Sequence, residues 1–314
     1  QVSSLYTYQG HKAGVYALSW CSDGSRIASV DASGLARIWQ AVSRGNTPQG
    51  KFLESRQISP VLDSQGHGSE TALLWSPGAN QIAFGSYPGE IHIWDITHNK
   101  DLVIRDYQTL GASLAWSPDN TRLAAVYIGS DMVRVAFWDL TTTNLLVDME
   151  LTSNTKLVGT FSSFTTPVAL AWSSNGKRIA LSIKDSLSQV NETHIWEVTS
   201  KRALARLPIG SYDLAWSPDA EYLATDNQVW DAESGRLERT YPTNGNTVAW
   251  SPNGEYLATG GKDNSISVWE ASTGKLLRIY QGHTRPINMV RWSPDSSFLA
   301  SASEDRTVRI FPGD

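Results

Sequence analysis

Tyr280-Gln281-Gly282-His283, near the end of the chain, repeats residue for residue the Tyr8-Gln9-Gly10-His11 found at its start. The stretch that follows the later copy reads as three short strands. Residues 287–292 and 307–311 are rich in β-branched and aromatic side chains, which suit a pleated, half-buried surface. Between them Ser293-Pro294-Asp295 suits a type I turn: proline presets the first central residue, serine caps the turn, and the chain folds back through Phe298-Leu299-Ala300-Ser301. Asp305 falls in the next tight turn. Such a meander leaves one edge of unpaired backbone groups. The N-terminus is the predicted partner, because Ser4 to Tyr8 stand before their Gly-His as Leu276 to Tyr280 stand before theirs. The first residues are therefore expected to complete the last sheet and remove the open end.

The same parts recur outward from this stretch. An apolar-Trp unit, usually followed by Ser-Pro, stands at Trp20, Trp75, Trp116, Trp172, Trp216, Trp250 and Trp292, and a second aromatic series follows at Trp39, Trp94, Trp138, Trp196, Trp230, Trp269 and Phe311. The spacing scatters around the roughly 40 to 45 residues of a four-stranded propeller blade. Polar links such as Ser272-Thr273-Gly274-Lys275 suit short hairpins between third and fourth strands. Repetition also explains how 314 residues can fold without one oversized core.

Composition narrows the function. A net charge of −5 and a pI near 5.7 disfavour a phosphate backbone as the main partner. Cys21 is the single cysteine and replaces a turn serine, so it reads as a structural thiol with no intrachain disulfide. No apolar run has the length of a membrane span, and the first residues lack a signal peptide's pattern. The cytoplasm is the expected compartment. The chain begins at Gln1, as a module cut from a longer protein would. The six histidines have no close metal-ligand spacing with Cys or carboxylate, and nucleophile-elbow, P-loop and dinucleotide motifs are absent. No catalytic residue, cofactor or metal is expected.

Gly-His, the apolar-Trp-Ser-Pro-Asp strand and turn, Leu-Ala-Ser, Asp, and endings such as Trp94-Asp95, Trp138-Asp139 and Trp230-Asp231 resemble the WD40 repeat over essentially the whole chain. The resemblance implies an all-β fold: one domain, 1–314, forming a seven-bladed β-propeller of four-stranded antiparallel blades, the last closed by the N-terminal strand. It also implies a rigid platform for protein partners, similar to the repetitive segments that end larger bacterial signalling proteins. The family's blade carries a buried His-Ser/Thr-Asp-Trp network, and no unit here shows all four. The last has His283, Ser301 and Asp305 but Phe311; the first has His11, Ser29 and Trp39 but Ser33 in the Asp position. The sixth has Thr259, Asp263 and Trp269 without histidine, and the second keeps only His67 and Trp94. Stability is expected to rest on tryptophan packing and backbone ladders instead.

In this fold the loops before each first strand, and between each second and third, share a face. Longer loops at 152–166, 184–191 and 128–132 are expected on it, with Tyr127, Lys156, Phe161, Phe164 and Lys184 as a binding edge. A second candidate is the mouth of the central channel, with Tyr16, Tyr87, Tyr212, Asn246, Lys262, Arg285 and Glu304, an aromatic and Arg composition typical of protein-binding hot spots. Residues 43–57 read as a long flexible loop on the opposite face. The expected function is a monomeric, non-catalytic scaffold that presents a loop-rich face to a protein or peptide. A channel-mouth hydrolase or lyase, or a propeller binding a small ligand or glycan, are the alternatives.

Overall fold

A computed structural model of the chain describes residues 3–43, 47–58, 73–86, 90–105, 113–128, 133–142, 144–150, 165–185, 191–243 and 245–313. Among them every regular element is a β-strand, and the strands form seven four-stranded antiparallel sheets. The chain divides into two compact units. One holds blade 1 (Val15–Trp20 to Thr47–Gln57), blade 5 (Ala215–Trp216 to Leu237–Thr240), blade 6 (Gly245–Trp250 to Leu276–Tyr280) and blade 7. The other holds blade 2 (Leu73–Trp75 to Lys100–Arg105), blade 3 (Leu114–Trp116 to Asn144–Glu150) and blade 4 (Thr165–Trp172 to Ala203–Leu207).

Blade 7 is assembled from both ends of the chain. Ile287–Trp292, Phe298–Ser303 and Val308–Pro312 come from the C-terminus, and Tyr6–Tyr8 adds the outer strand. Tyr6 lies opposite Ile310, Thr7 opposite Arg309 and Tyr8 opposite Val308, with Leu5 N–H donating to Ile310 C=O at 2.8 Å. The backbone groups left open by the terminal meander thus find partners in the first residues.

The repeated turn shows why its residues recur. In each, the N–H of the fourth residue donates to the first carbonyl, as in Asn120 to Ser117 and Ser296 to Ser293, both at 2.9 Å. That fourth residue is left-handed, with Gly24, Gly176 and Gly254 at φ 72, 71 and 78°, the form of a type I turn followed by a bulge residue. The serine hydroxyl reaches the Asx carbonyl or carboxylate two residues on and accepts the N–H five residues on, as Ser293 does with Asp295 (2.6 Å) and Phe298 (2.9 Å).

The two tryptophan series hold neighbouring blades together. Trp20 Nε1–H donates to Arg291 C=O, Trp292 to Ala249 C=O and Trp116 to Leu74 C=O, at 3.1, 3.1 and 3.2 Å. Each acceptor is the residue before the preceding blade's own tryptophan. Farther out, a tyrosine at the end of an outer strand, or just after it, packs on the next blade's third-strand ring: Tyr8 on Trp39 (4.6 Å, 2°), Tyr241 on Trp269 (5.4 Å, 60°) and Tyr280 on Phe311 (4.9 Å, 28°). These offset rings add about 0.5–1.5 kcal/mol each beyond their burial.

Two expectations are corrected here. Residues 47–57 are not a loop: Thr47–Gln57 is the long outer strand of blade 1, paired with Leu35–Ser43 from Leu35↔Gln57 to Ser43↔Thr47. Thr47-Pro48-Gln49-Gly50 carries proline and glycine, which disfavour strands, but pairing satisfies its backbone, register shifts absorb the irregularity, and the Arg37 guanidinium lies 5.6 Å from the centre of the Phe52 ring. The loops expected at 128–132, 152–166 and 184–191 are shorter in their described parts. Ile128, Thr165, Lys184 and Asn191 are already strand residues, with Lys184 paired to both Thr166 and Asn191.

Candidate functional site

The loops leading into the inner strands of blades 7 and 1 rest on two buried polar networks. In blade 7, His283 Nδ1–H donates to Asp305 at 2.7 Å while His283 Nε2 accepts from the Ser301 hydroxyl at 2.7 Å. In blade 1, His11 Nδ1–H donates to Asp31 at 2.9 Å, its Nε2 accepts from Ser29 at 2.7 Å, and Trp39 Nε1–H donates to Ser29 at 3.1 Å. Blade 1 therefore has all four members, contrary to the sequence expectation. The carboxylate has moved two residues back: Asp31 and Ser33 stand where blade 7 has Ser303 and Asp305. Ser33 donates to Asp31 through both N–H and hydroxyl, so the exchanged pair rebuilds the same turn.

Electrostatics follow from this geometry. Burial works against the charge on Asp31, but donors from His11 and Ser33 outweigh it and hold the carboxyl down at about 2. Burial opposes the charge of Asp305 too, and donors from His283, Thr307 and Thr284 hold it well below the usual range. Burial lowers His283 despite Asp305, so the ring stays neutral and can accept from Ser301. These groups are occupied with one another and serve as footings for the loops.

Hydrogen bonds knit the loops together. Glu304 N–H donates to Pro286 C=O (3.1 Å), Ser303 hydroxyl to Arg285 C=O (3.0 Å) and Thr284 N–H to Asp305 (3.1 Å). Blade 1 joins them where Asn288 Nδ2 donates to Val15 C=O at 2.9 Å and where a Cβ on Gly14 would lie 3.2 Å from the Glu304 Cα. The seam between blades 7 and 1 is thus one continuous surface.

The sequence-derived mouth residues fall as follows. Tyr16, Asn246, Lys262, Arg285 and Glu304 belong to the unit holding blades 1 and 5–7. Lys262 and Arg285 are exposed, Asn246 and Glu304 half-buried. Tyr16 is 8% exposed and its hydroxyl has no hydrogen-bond partner among the described residues; burial raises its pKa. Tyr212 is 45% exposed. Tyr87, the remaining mouth residue, lies outside the described residues; of the binding edge, Tyr127 and Lys184 lie in strands but their side chains are outside the described residues, as are Lys156, Phe161 and Phe164 entirely.

Sequence reasoning missed Asn288 and Arg306. The inner strands of blades 1, 6 and 7 each carry a bulge at the fourth residue before the tryptophan: Tyr16, Asn246 and Asn288. A bulge re-aims a side chain out of the alternating pattern. The common offset from Trp20, Trp250 and Trp292 was the signal that would have added Asn288 to the other two.

Between blades 5, 6 and 7 the carboxylate of Asp213 accepts from Arg291 Nη1 (2.7 Å) and Nη2 (2.9 Å), Thr247 hydroxyl (2.7 Å) and Val248 N–H (3.1 Å). This forked pair is a structural clamp. Among the described residues no group of three or more His, Cys, Asp or Glu is arranged to hold a metal ion.

The model of the family described as WD domain, G-beta repeat matches residues 2–40, 235–270 and 274–311. The chain is similar to Protein FIZZY-RELATED 1 of Arabidopsis thaliana, at 26% identity over 71% of this chain and 42% of the relative. It is similar to Protein HIR1 of Cryptococcus neoformans, at 29% identity over 69% of this chain and 25% of the relative. To THO complex subunit 3 of Arabidopsis thaliana it is 27% identical, over 37% of this chain and 35% of the relative. The chain spans less than half the length of these curated relatives.

Proposed function

The chain is a seven-bladed β-propeller of WD40 repeats, and from that premise we propose that it is a non-catalytic scaffold whose inner-strand loops hold a protein or peptide partner. The observation that carries this reading is the seam between blades 7 and 1. Exposed Arg285 and half-buried Glu304 stand there on loops tied to one another and to two buried His-Asp networks, beside the buried Tyr16 hydroxyl on its strand bulge. Rigid loops lose little entropy when a partner docks. The catalytic alternative needs a titratable group free to act, whereas Asp31, Asp305, His11 and His283 are bound to one another. The naming of one relative as a complex subunit supports the same kind of role.

The test is hydrogen exchange on a complex purified with its partner. Protection is expected at residues 9–16, 281–288 and 303–307. Protection confined to the outer strands, or to the Ser-Pro-Asp turns at the opposite ends of the sheets, would refute the assignment of the face.

A further inference from the structure

We infer that the seam between blades 7 and 1 is a cationic seat for an acidic, extended segment of the partner protein. This rests on the scaffold reading above and names the chemistry of its partner.

The first observation is a neighbouring pair of exposed arginines without carboxylate partners. Several other guanidinium groups are paired: Arg105 with Glu90, Arg178 with Glu233, Arg206 with Glu192 and Arg291 with Asp213. Arg285 and Arg306 are exposed, and neither has an ion pair within 4 Å among the described residues. Their loops adjoin through the Ser303–Arg285 and Glu304–Pro286 hydrogen bonds. The nearby aspartates are not available to them, since Asp305 is held by His283 and Asp31 by His11.

The second is the backbone of Arg306. Its φ is 71°, in the left-handed region. At the same turn position blade 1 has Gly34 (φ 77°) and blade 6 has Asn264 (φ 64°), the residue types that tolerate this conformation. A long cationic side chain held there at a conformational cost points to a task outside the fold. The third is the Tyr16 hydroxyl, buried on its strand bulge and without a partner among the described residues, a neutral donor beside the two arginines for a peptide carbonyl or carboxylate.

Arginine forks match carboxylates in pairs. Two of them with a tyrosine donor suit a short acidic stretch docked in extended form. The chain's net charge of −5 opposes a long polyanion, so a peptide is favoured over nucleic acid.

The test uses fluorescence anisotropy with three labelled probes on the intact chain: an Asp/Glu-rich decapeptide, a Lys-rich decapeptide and a ten-nucleotide RNA. Wild type should bind the acidic peptide best, with affinity falling as salt rises. Arg306→Gly should raise the melting temperature, because the strain is relieved, yet bind the acidic peptide at least severalfold more weakly. Arg285→Glu with Arg306→Glu should lose tenfold or more and gain affinity for the Lys-rich peptide, whereas Lys177→Glu should leave acidic-peptide binding unchanged. Tyr16→Phe should fold as stably as wild type and bind less well. Equal binding by wild type and the double charge reversal, no binding of the acidic peptide by wild type, or preference for the RNA would each overturn the inference. Should hydrogen exchange place a partner on this seam while the reversal still holds it, the acidic-segment inference alone fails. Should the partner lie elsewhere, the scaffold-face reading fails with it.

Discussion

Replacing Tyr8 with alanine tests whether the first residues are an integral part of the last blade. Tyr8 is 5% exposed, pairs with Val308 and lies flat on Trp39 with centroids 4.6 Å apart. An aromatic side chain buries about 150–250 Å², and at about 25 cal/mol per Å² that gives roughly 4–6 kcal/mol. Compactness of the unfolded chain trims the figure to about 3–4 kcal/mol, and the stack restores about 1 kcal/mol. The expected loss is therefore about 4 kcal/mol. Unfolding entropy of about 2.1 cal/mol/K per residue over 314 residues converts this to a fall of about 6 °C in Tm. Differential scanning calorimetry reads it directly. Tyr8→Phe keeps the stack and should cost about 1 kcal/mol or less. Tyr280→Ala is the internal reference, because Tyr280 is fully buried on Phe311 and donates to Pro312 C=O at 2.6 Å. A Tyr8→Ala protein melting within about 2 °C of wild type, alongside a Tyr280→Ala protein that loses the full amount, would refute an integral terminal strand.

Gly50→Ala should destabilise by about 2 kcal/mol or more, since φ is +61° and the new Cβ would meet the Tyr6 ring at 2.1 Å; adding Tyr6→Ala should recover part of that loss in a urea melt. The double exchange Asp31→Ser with Ser33→Asp should melt close to wild type, whereas Asp31→Ser alone should cost about 2 kcal/mol by leaving His11 without its acceptor. Acid should act in two stages. Burial lowers His194 and His283, so the unfolded chain takes up their protons first, and stability is full above about pH 6.5 and declines below it. Asp31 and Asp305 are lowered as well, so their contribution is present above about pH 4 and disappears toward pH 2. His194→Gln should flatten the first stage in melts taken from pH 7 to 5; an unchanged slope would show that the ring is not held neutral by burial.

The fold was legible because each repeated signal had a local cause. The Ser-Pro-Asp turn and the duplicated Tyr-Gln-Gly-His describe interactions within a few residues or one strand pairing, and the Trp at a fixed offset marks a contact that every unit can make with its neighbour, as Trp20, Trp116 and Trp292 do. What escaped was set by side chains converging from separate segments. The carboxylate of blade 1 was sought at position 33 because spacing was carried over from blade 7, but a carboxylate at position 31 reaches the same imidazole once the turn serine supplies the remaining donors. The outer strand Thr47–Gln57 escaped for another reason: its pairing with Leu35–Ser43 outweighs a composition that favours a loop. Tyr16, Asn246, Lys262, Arg285 and Glu304 were picked from one expected face, and the structure adds Asn288 and Arg306, whose meaning depends on a bulge and a positive φ.

Arg285 and Arg291 lie six residues apart and show why scaffold and site can vary separately. Arg291 spends its donors inside the molecule, on both oxygens of Asp213 and on the Val290 carbonyl at 2.8 Å. Removing it would leave a largely buried carboxylate without its guanidinium counter-charge, held by neutral donors such as Thr247, Val248 and Leu214, so its loss is felt in folding. Arg285 contributes its backbone carbonyl to the fold, accepting from the Ser303 hydroxyl. Among the described residues its guanidinium has no ion pair, so changing that side chain leaves the hydrogen bonds of the seam in place. A propeller built this way can exchange the charges on its loops, and with them its partner, while the tryptophan and tyrosine contacts between blades stay as they are.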